Sequence, residues 1–384
     1  YMDVISGRNI WMSYPDLIYG RNGHDVYRYE GAEKAAFPVK TTEADETKNK
    51  AFYRRKIMKT RKLGNFEVGA MGLGCMDFSH GPGNPPPREE SIRLMRMAYE
   101  LGTTLFDTAD AYANGHNEIL VGEALKPIRD KVILTTKYNP ELRPVSDLSK
   151  GPVKDQIESR LDDSLKRLGT DYVDIYYMHR VTDDVPLDEV AGYMGEFIKK
   201  GKIRGWGMSR ATAQHIEIAQ AVTPVSAIQN EYSLMERDPE TDGVLDACQK
   251  YGIGFVPYMT LGGGFLTGAI KPGMVYSGDN AKRFSSRYSD ETILANQPLL
   301  DVLDKVSKAK GCTYAQAALA WLLYRRDYIV PIAGAMCEEY VRSNAATADI
   351  NFTAEDMAAF DEALNKVTLY RMSDESCVFK LNEV

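Results

Sequence analysis

From about residue 60 onward, eight short apolar runs alternate with amphipathic stretches of helical period. The first is Ala70-Met71-Gly72-Leu73-Gly74, followed by Thr104-Leu105-Phe106, Val132-Ile133-Leu134-Thr135 and Val173-Asp174-Ile175-Tyr176-Tyr177. Then come Ile203-Arg204-Gly205-Trp206-Gly207, Ala227-Ile228-Gln229, Ile253-Gly254-Phe255-Val256-Pro257 and Tyr328-Ile329-Val330-Pro331-Ile332. Runs this short, apolar on both faces and separated by helices, are what buried parallel strands require. The helices between them carry their own signals. Val153, Ile157, Leu161, Leu165 and Leu168 share a face behind Pro152, which is read as a first-turn residue. Leu187, Val190, Ala191, Met194 and Ile198 follow Pro186 in phase and end on Lys199-Lys200-Gly201, cations and then a C′ glycine. Thr313 with Gln316 predicts a capping box, and Thr353 caps a last helix with Phe352 and Met357 spaced as a staple. Eight such units over roughly 300 residues close most economically into a (β/α)8 TIM barrel. A doubly wound sheet is the alternative, but Gly69, Gly72 and Gly74 have the wrong spacing for its phosphate-binding turn.

Gly64-Asn65 predicts a turn, and hence a small β-hairpin ahead of the first barrel strand. Residues 1–60 do not fit the repeat and are read as a non-barrel N-terminal extension, with residues 61–370 as the barrel and 371–384 as a tail. The extension is rich in aromatics (Trp11, Tyr14, Tyr19, Tyr27, Tyr29), with a hairpin signal at Asn22-Gly23 and a polar, linker-like stretch over 41–50. It is read as an arm packed on its own barrel, or as a contact with a second subunit that would make a homo-oligomer, or with a partner protein.

Composition narrows the function classes. The net charge of −7 and the absence of a long basic run argue against nucleic acid or an anionic membrane as partner. The short basic cluster Arg54, Arg55, Lys56, Lys59, Arg61 and Lys62 is read as a solvated linker. No apolar stretch approaches the roughly 20 residues that span a bilayer. The first residues, with Asp3 and Arg8, lack the apolar core of a signal peptide, so the cytoplasm is the expected compartment. Cys75, Cys248, Cys312, Cys337 and Cys377 are scattered without paired spacing, which predicts reduced thiols and no metal site.

Barrel enzymes carry catalytic groups at the C-terminal ends of their strands. The second predicted strand delivers Asp107, with Tyr112 five residues on in Asp107-Thr108-Ala109-Asp110-Ala111-Tyr112; the third ends near Lys137 and the fourth at His179. Four polar groups from neighbouring strands thus meet at one mouth. A tyrosine with a pKa near 10 is a poor proton shuttle at neutral pH. A nearby ammonium lowers that pKa, a carboxylate holds the ammonium in place, and a histidine can donate to the same substrate oxygen.

These four residues, with the phrase around Tyr112, resemble the tetrad of the aldo-keto reductase superfamily, and the likeness runs over about 60–368. Tyr177-Met178-His179-Arg180 followed by Asp184-Val185-Pro186 is most similar to a bacterial and fungal branch acting on small aldehydes. The resemblance implies hydride transfer between a nicotinamide cofactor and a small carbonyl or alcohol, with Tyr112 as acid in reduction and base in oxidation. It also implies that Ser209 and Gln229 grip the nicotinamide carboxamide and that Tyr258 stacks on its face. The loop Leu261-Gly262-Gly263-Gly264 would lie along the pyrophosphate, where absent side chains let backbone N–H groups approach. Gly334 falls in the cofactor segment after the eighth strand, and Asn344 would touch the adenine. Phe78 and the loop Gly81-Pro82-Gly83-Asn84-Pro85-Pro86-Pro87 are expected to line the substrate mouth. Arg283 or Arg287 either closes over the phosphates or lies on the surface.

The chain also departs from that pattern. It has Met259 where many relatives have serine and Arg210 where they have asparagine or an acid. After the eighth strand, Met336, Cys337 and Tyr340 replace the cations that meet the 2′-phosphate of NADP; Glu338 and Glu339 are added, and no cation comes before Arg342. NADP is the family default and NAD a competitor that free ribose hydroxyls beside glutamate would suit. Three functions stay open: an NAD(P)H-dependent aldehyde or ketone reductase, an NAD-dependent alcohol or sugar dehydrogenase, and a non-catalytic cofactor-binding regulatory subunit.

Overall fold

The computed structural model describes residues 58–79, 85–276 and 286–370, all in the second of two units into which the chain divides after Arg54. The aromatic-rich arm with its Asn22-Gly23 signal, most of the loop before Pro85, Arg283 and the tail 371–384 lie outside the described residues.

Strands β1 (Thr60–Leu63) and β2 (Phe66–Gly69) form the expected antiparallel hairpin around Gly64-Asn65, with Leu63 opposite Phe66. Then strands and helices alternate: β3 (Gly72–Gly74), α1 (Arg88–Glu100), β4 (Leu105–Asp107), α2 (His116–Leu125), β5 (Ile133–Tyr138) and α3 (Val153–Leu168). They continue through β6 (Val173–Met178), α4 (Leu187–Lys199), β7 (Ile203–Ser209), α5 (Ala213–Gln220), β8 (Ala227–Gln229), α6 (Val244–Tyr251) and β9 (Gly254–Phe255). The next crossover holds three helices, α7 (Asp290–Ala295), α8 (Gln297–Lys310) and α9 (Tyr314–Arg325), before β10 (Ile332–Gly334), α10 (Glu338–Ala346) and α11 (Ala354–Leu364).

Strands β3 to β9 pair in parallel in chain order, with β10 in parallel beside β3. The ring closes between β9 and the residues leading into β10: Phe255 N–H donates to Tyr328 O at 2.9 Å, Val330 N–H to Phe255 O at 2.9 Å and Ile332 N–H to Pro257 O at 3.2 Å. The (β/α)8 barrel is therefore complete, and all eight runs fall on its strands. Helix boundaries agree nearly as well. The capping boxes at Thr313 and Thr353 are present, and α4 stops at Lys199 with Gly201 in the left-handed region. Pro152 sits one position earlier than expected, as the cap rather than the first helical residue.

Alternation along the strands sorts side chains into two cores. Leu105, Ile175, Tyr177, Ala227, Val256, Val330 and Ile332 fill the barrel interior together with Leu63, Phe66 and Val68 of the hairpin. Phe106, Leu134, Tyr176, Trp206, Ile228 and Phe255 point outward to the helices. Burying each large aliphatic or aromatic side chain contributes about 1.5–3 kcal/mol. The hairpin plugs the end where strands begin: a Cβ on Gly254 or Gly64 would collide with Leu63 or with the Ser226 carbonyl. That leaves the opposite end, where strands finish, open for chemistry. Among the described residues, no helix is long and apolar enough to cross a membrane.

Candidate active site

The period of two that buries Leu105 and Ile175 inside the barrel also aims the polar residues at its mouth. Asp107 is two residues after Leu105, Thr135 and Lys137 follow Ile133 by two and four, and His179 is two beyond Tyr177. Register completes the alignment, with Asp107 opposite Thr135 and Lys137 opposite Tyr177. Lys137 is fully buried. Its Nζ donates to Asp107 Oδ2 at 2.5 Å and Thr108 O at 2.8 Å, and lies 3.4 Å from Tyr112 Oη. The other carboxylate oxygen of Asp107 accepts from Thr135 Oγ1 at 2.7 Å and Gln229 Nε2 at 2.9 Å. Both oxygens of this buried carboxylate are thus hydrogen-bonded, which offsets much of the penalty for burying the ion pair.

Tyr112 opens a short turn in which Ala113 and Asn114 are left-handed, at φ 47° and 52°. Such a backbone costs about 1 kcal/mol for alanine and is the sort of local strain that clusters at functional positions. The Tyr112 ring meets His179 edge to face, centroids 5.7 Å apart. Burial pushes the Tyr112 phenol above the ordinary tyrosine range, while the Lys137 ammonium pulls it back. The lowering expected from Lys137 is present, but desolvation outweighs it. Burial also works against the charge on Lys137, yet Asp107 and Tyr112 hold it above the usual lysine range. His179 falls well below the usual histidine range, through burial first and then the charges of Lys137, Arg180 and Arg210. It is a neutral imidazole at pH 7, and its Nδ1 is buried without a partner.

The remaining predicted residues fall as follows. Ser209, Gln229 and Tyr258 come from or just after β7, β8 and β9, beside the tetrad. Ser209 is buried and its Oγ accepts from Arg180 Nη1 at 3.4 Å. Tyr258 is half-buried. In the loop after it, Gly262, Gly263 and Gly264 have φ of 56°, 62° and 100°, a run that side chains would strain. The carbonyl of Leu261 accepts from Gly264 and Leu266 N–H and shapes that turn. Asn344 Nδ2 donates to Gly334 O at 3.1 Å, joining two expected cofactor positions. These side chains and the glycine turn, grouped around one mouth, fit a nicotinamide dinucleotide.

Three expectations change. Phe78 follows β3 at the mouth but is 2% exposed and belongs to the outer core, so it has little surface to offer a substrate. Arg287 is not a surface residue: its side chain is 3% exposed and its Nη2 pairs with Glu231 at 2.7 Å. The segment after β10 is less acidic than it reads, because Glu338 is paired with Arg342 at 2.8 Å and with Arg93 at 2.9 Å. Arg93 comes from α1 and was invisible to local reading. Thr135, by contrast, was findable, since it shares the strand face of Lys137. Both departures from the resemblance, Arg210 and Met259, are left-handed at φ 56° and 53°.

The family model described as the aldo/keto reductase family matches residues 70–365. The chain is 37% identical over 309 residues to the aldo-keto reductase yakc [NADP(+)] of Schizosaccharomyces pombe, covering 79% of this chain and 91% of that protein. It is 33% identical over 306 residues to probable aldo-keto reductase 1 of Glycine max, covering 79% of this chain and 88% of that one. Among solved structures it is similar to an aldo-keto reductase from Klebsiella pneumoniae in complex with NADPH, with TM-score 0.62, 28% identity and coverage of 80% and 95%. Since the family match runs from just ahead of β3 to the end of α11, this chain belongs to the aldo/keto reductase family and is an NAD(P)-dependent oxidoreductase.

Proposed function

We propose that the protein reduces an aldehyde or ketone to the alcohol, with Tyr112 as proton donor and NADPH as hydride source. The observation that carries this reading is the buried chain Asp107–Lys137–Tyr112, ending beside a neutral His179. Because burial keeps the Tyr112 phenol protonated through neutral pH, it holds a proton ready to give. Lys137 stabilises the phenolate left after that transfer, and Asp107 keeps Lys137 charged and in place. His179, neutral and thus no rival as acid, donates one N–H to the carbonyl oxygen and fixes its orientation. Ser209, Gln229, Tyr258, the Leu261–Gly264 turn, Gly334 and Asn344 would hold the cofactor, which when bound supplies the hydride. A dehydrogenase would use the same tetrad in reverse, with Tyr112 as the base. The intact tetrad disfavours the non-catalytic reading.

NADP is favoured over NAD by the names of the S. pombe and K. pneumoniae relatives and by Arg93 and Arg342 at the start of α10, where a 2′-phosphate could compete with Glu338 for both guanidinium groups. The test is to follow consumption of NADPH and of NADH with a panel of small aldehydes. Faster turnover with NADPH by tenfold or more, about 1.4 kcal/mol, is expected. Preference for NADH would mean both arginines stay with Glu338. Consumption of neither would contradict the reading.

A further inference from the structure

Two arginines at the mouth have no use in the scheme above. Arg180 follows His179 at the end of β6, and Arg210 follows Ser209 at the end of β7. Arg180 is half-buried, and its Nη1 donates to His179 O at 2.7 Å and to Ser209 Oγ at 3.4 Å. Arg210 is held left-handed, with Nε 3.4 Å from Tyr258 Oη. Both charges act on His179, and that of Arg180 also acts on Tyr112. Arg180 thus bridges His179 and Ser209, and Arg210 follows Ser209 and reaches Tyr258, so both stand at the end of the barrel that carries the tetrad.

Neither has a counterion to match. The nearest carboxylate to Arg180 is the exposed Glu141, at 4.0 Å. Arg210 feels only longer-range carboxylates, the same Glu141 and then Glu231, and Glu231 is already bound by Arg287 at 2.7 Å. Asp107 is fully engaged by Lys137, Thr135 and Gln229. Three cations (Lys137, Arg180, Arg210) thus face two carboxylates (Asp107, Glu141), on a chain whose net charge is −7. For the half-buried Arg180, a guanidinium without a bonded carboxylate is a standing cost that an arriving anion relieves. Both terminal nitrogens of Arg210 and Nη2 of Arg180 have no hydrogen-bond partner among the described residues, and guanidinium groups offer the paired donors that carboxylates accept.

We propose that Arg180 and Arg210 form an anion subsite beside the tetrad, which makes the preferred substrate a carbonyl compound bearing a carboxylate. This rests on the reductase reading and names its substrate class. Arg180 is bonded to the orienting histidine and Arg210 to Tyr258, so the acid group of the substrate would sit a few atoms from its carbonyl.

The test compares para-carboxybenzaldehyde with its methyl ester, of similar shape but neutral, in the wild-type enzyme and in Arg210→Met. Arg210 is exposed, so its loss spares the core. Wild type should prefer the carboxylate by about tenfold or more in kcat/KM, as a charge-assisted contact implies. Arg210→Met should bring the ratio to about twofold or less through KM, with NADPH binding changed by less than about threefold. No preference in wild type overturns the inference. So does a variant that keeps the preference but loses NADPH affinity, for then the arginine serves the cofactor phosphates. Failure to turn over any aldehyde overturns the reductase reading and this inference together, whereas turnover without charge preference overturns this inference alone.

Discussion

Lys137 has no exposed surface, and each of its three donors finds an oxygen on Asp107, Thr108 or Tyr112. Such a residue has nothing to do at the surface and one thing to do inside, which is to keep a positive charge beside a phenol. Asp110, three residues after Asp107 in the same phrase, is a less settled neighbour. Its Oδ1 is buried without a partner, and Arg143 reaches Oδ2 only at 3.4 Å. Burial pushes its carboxyl up to about 6, against the pull of Arg143. A carboxyl raised in the fold supports stability below its unfolded pKa and loses that support as pH rises through the folded one. Asp110→Asn should therefore gain stability over wild type as pH rises from about 4 to 7, by at most about 3 kcal/mol, from the shift. Urea denaturation across that window checks it, and parallel pH profiles for the two proteins would contradict it. The sequence made the tetrad legible because Asp107, Lys137 and His179 each sit a fixed step from an apolar strand residue, and Tyr112 follows Asp107 in the same short phrase. It did not reveal that burial would outweigh Lys137 at Tyr112, since desolvation depends on packing from several elements at once.

At the scale of elements, strand alternation does most of the positioning. The residues that fill the barrel and those that open its mouth belong to the same inward rows, so one register error would displace both. The hairpin of β1 and β2 closes the other end, and Arg61 binds it to the turn before β10, its Nη1 donating to Arg326 O at 2.7 Å and Ile329 O at 3.1 Å. Gly64 makes that hairpin possible, with φ 58° and its missing Cβ pressed on the Ser226 carbonyl. Gly64→Ala should cost about 2 kcal/mol or more from left-handed strain and steric contact, while leaving the KM for substrate unchanged at the far end. A denaturation midpoint equal to wild type would show that the hairpin is not clamped there. Its turn was readable from Gly64-Asn65, and helix ends from proline, threonine and glycine punctuation. In the three-helix crossover before β10, Pro298 in the first turn of α8 marks the boundary with α7, which ends at Ala295.

Across the whole molecule, the barrel brings together residues that local reading keeps apart. Arg93 on α1 meets Glu338 on α10, and Gln229 on β8 reaches Asp107 on β4. Neither pairing has a signal in spacing, since each depends on ring closure, and the first offsets the negative charge expected of the segment after β10. Closure itself was legible, because eight strand–helix units leave no free edge only when the last pairs with the first. The central claim is that Tyr112 gives the proton that accompanies hydride transfer. Single-turnover oxidation of bound NADPH by an aldehyde, in wild type and in Tyr112→Phe, tests it most directly. The expected rate is lower by about a thousandfold or more, within the range for loss of a general acid, with NADPH affinity nearly unchanged. A variant that transfers hydride within tenfold of wild type would contradict it.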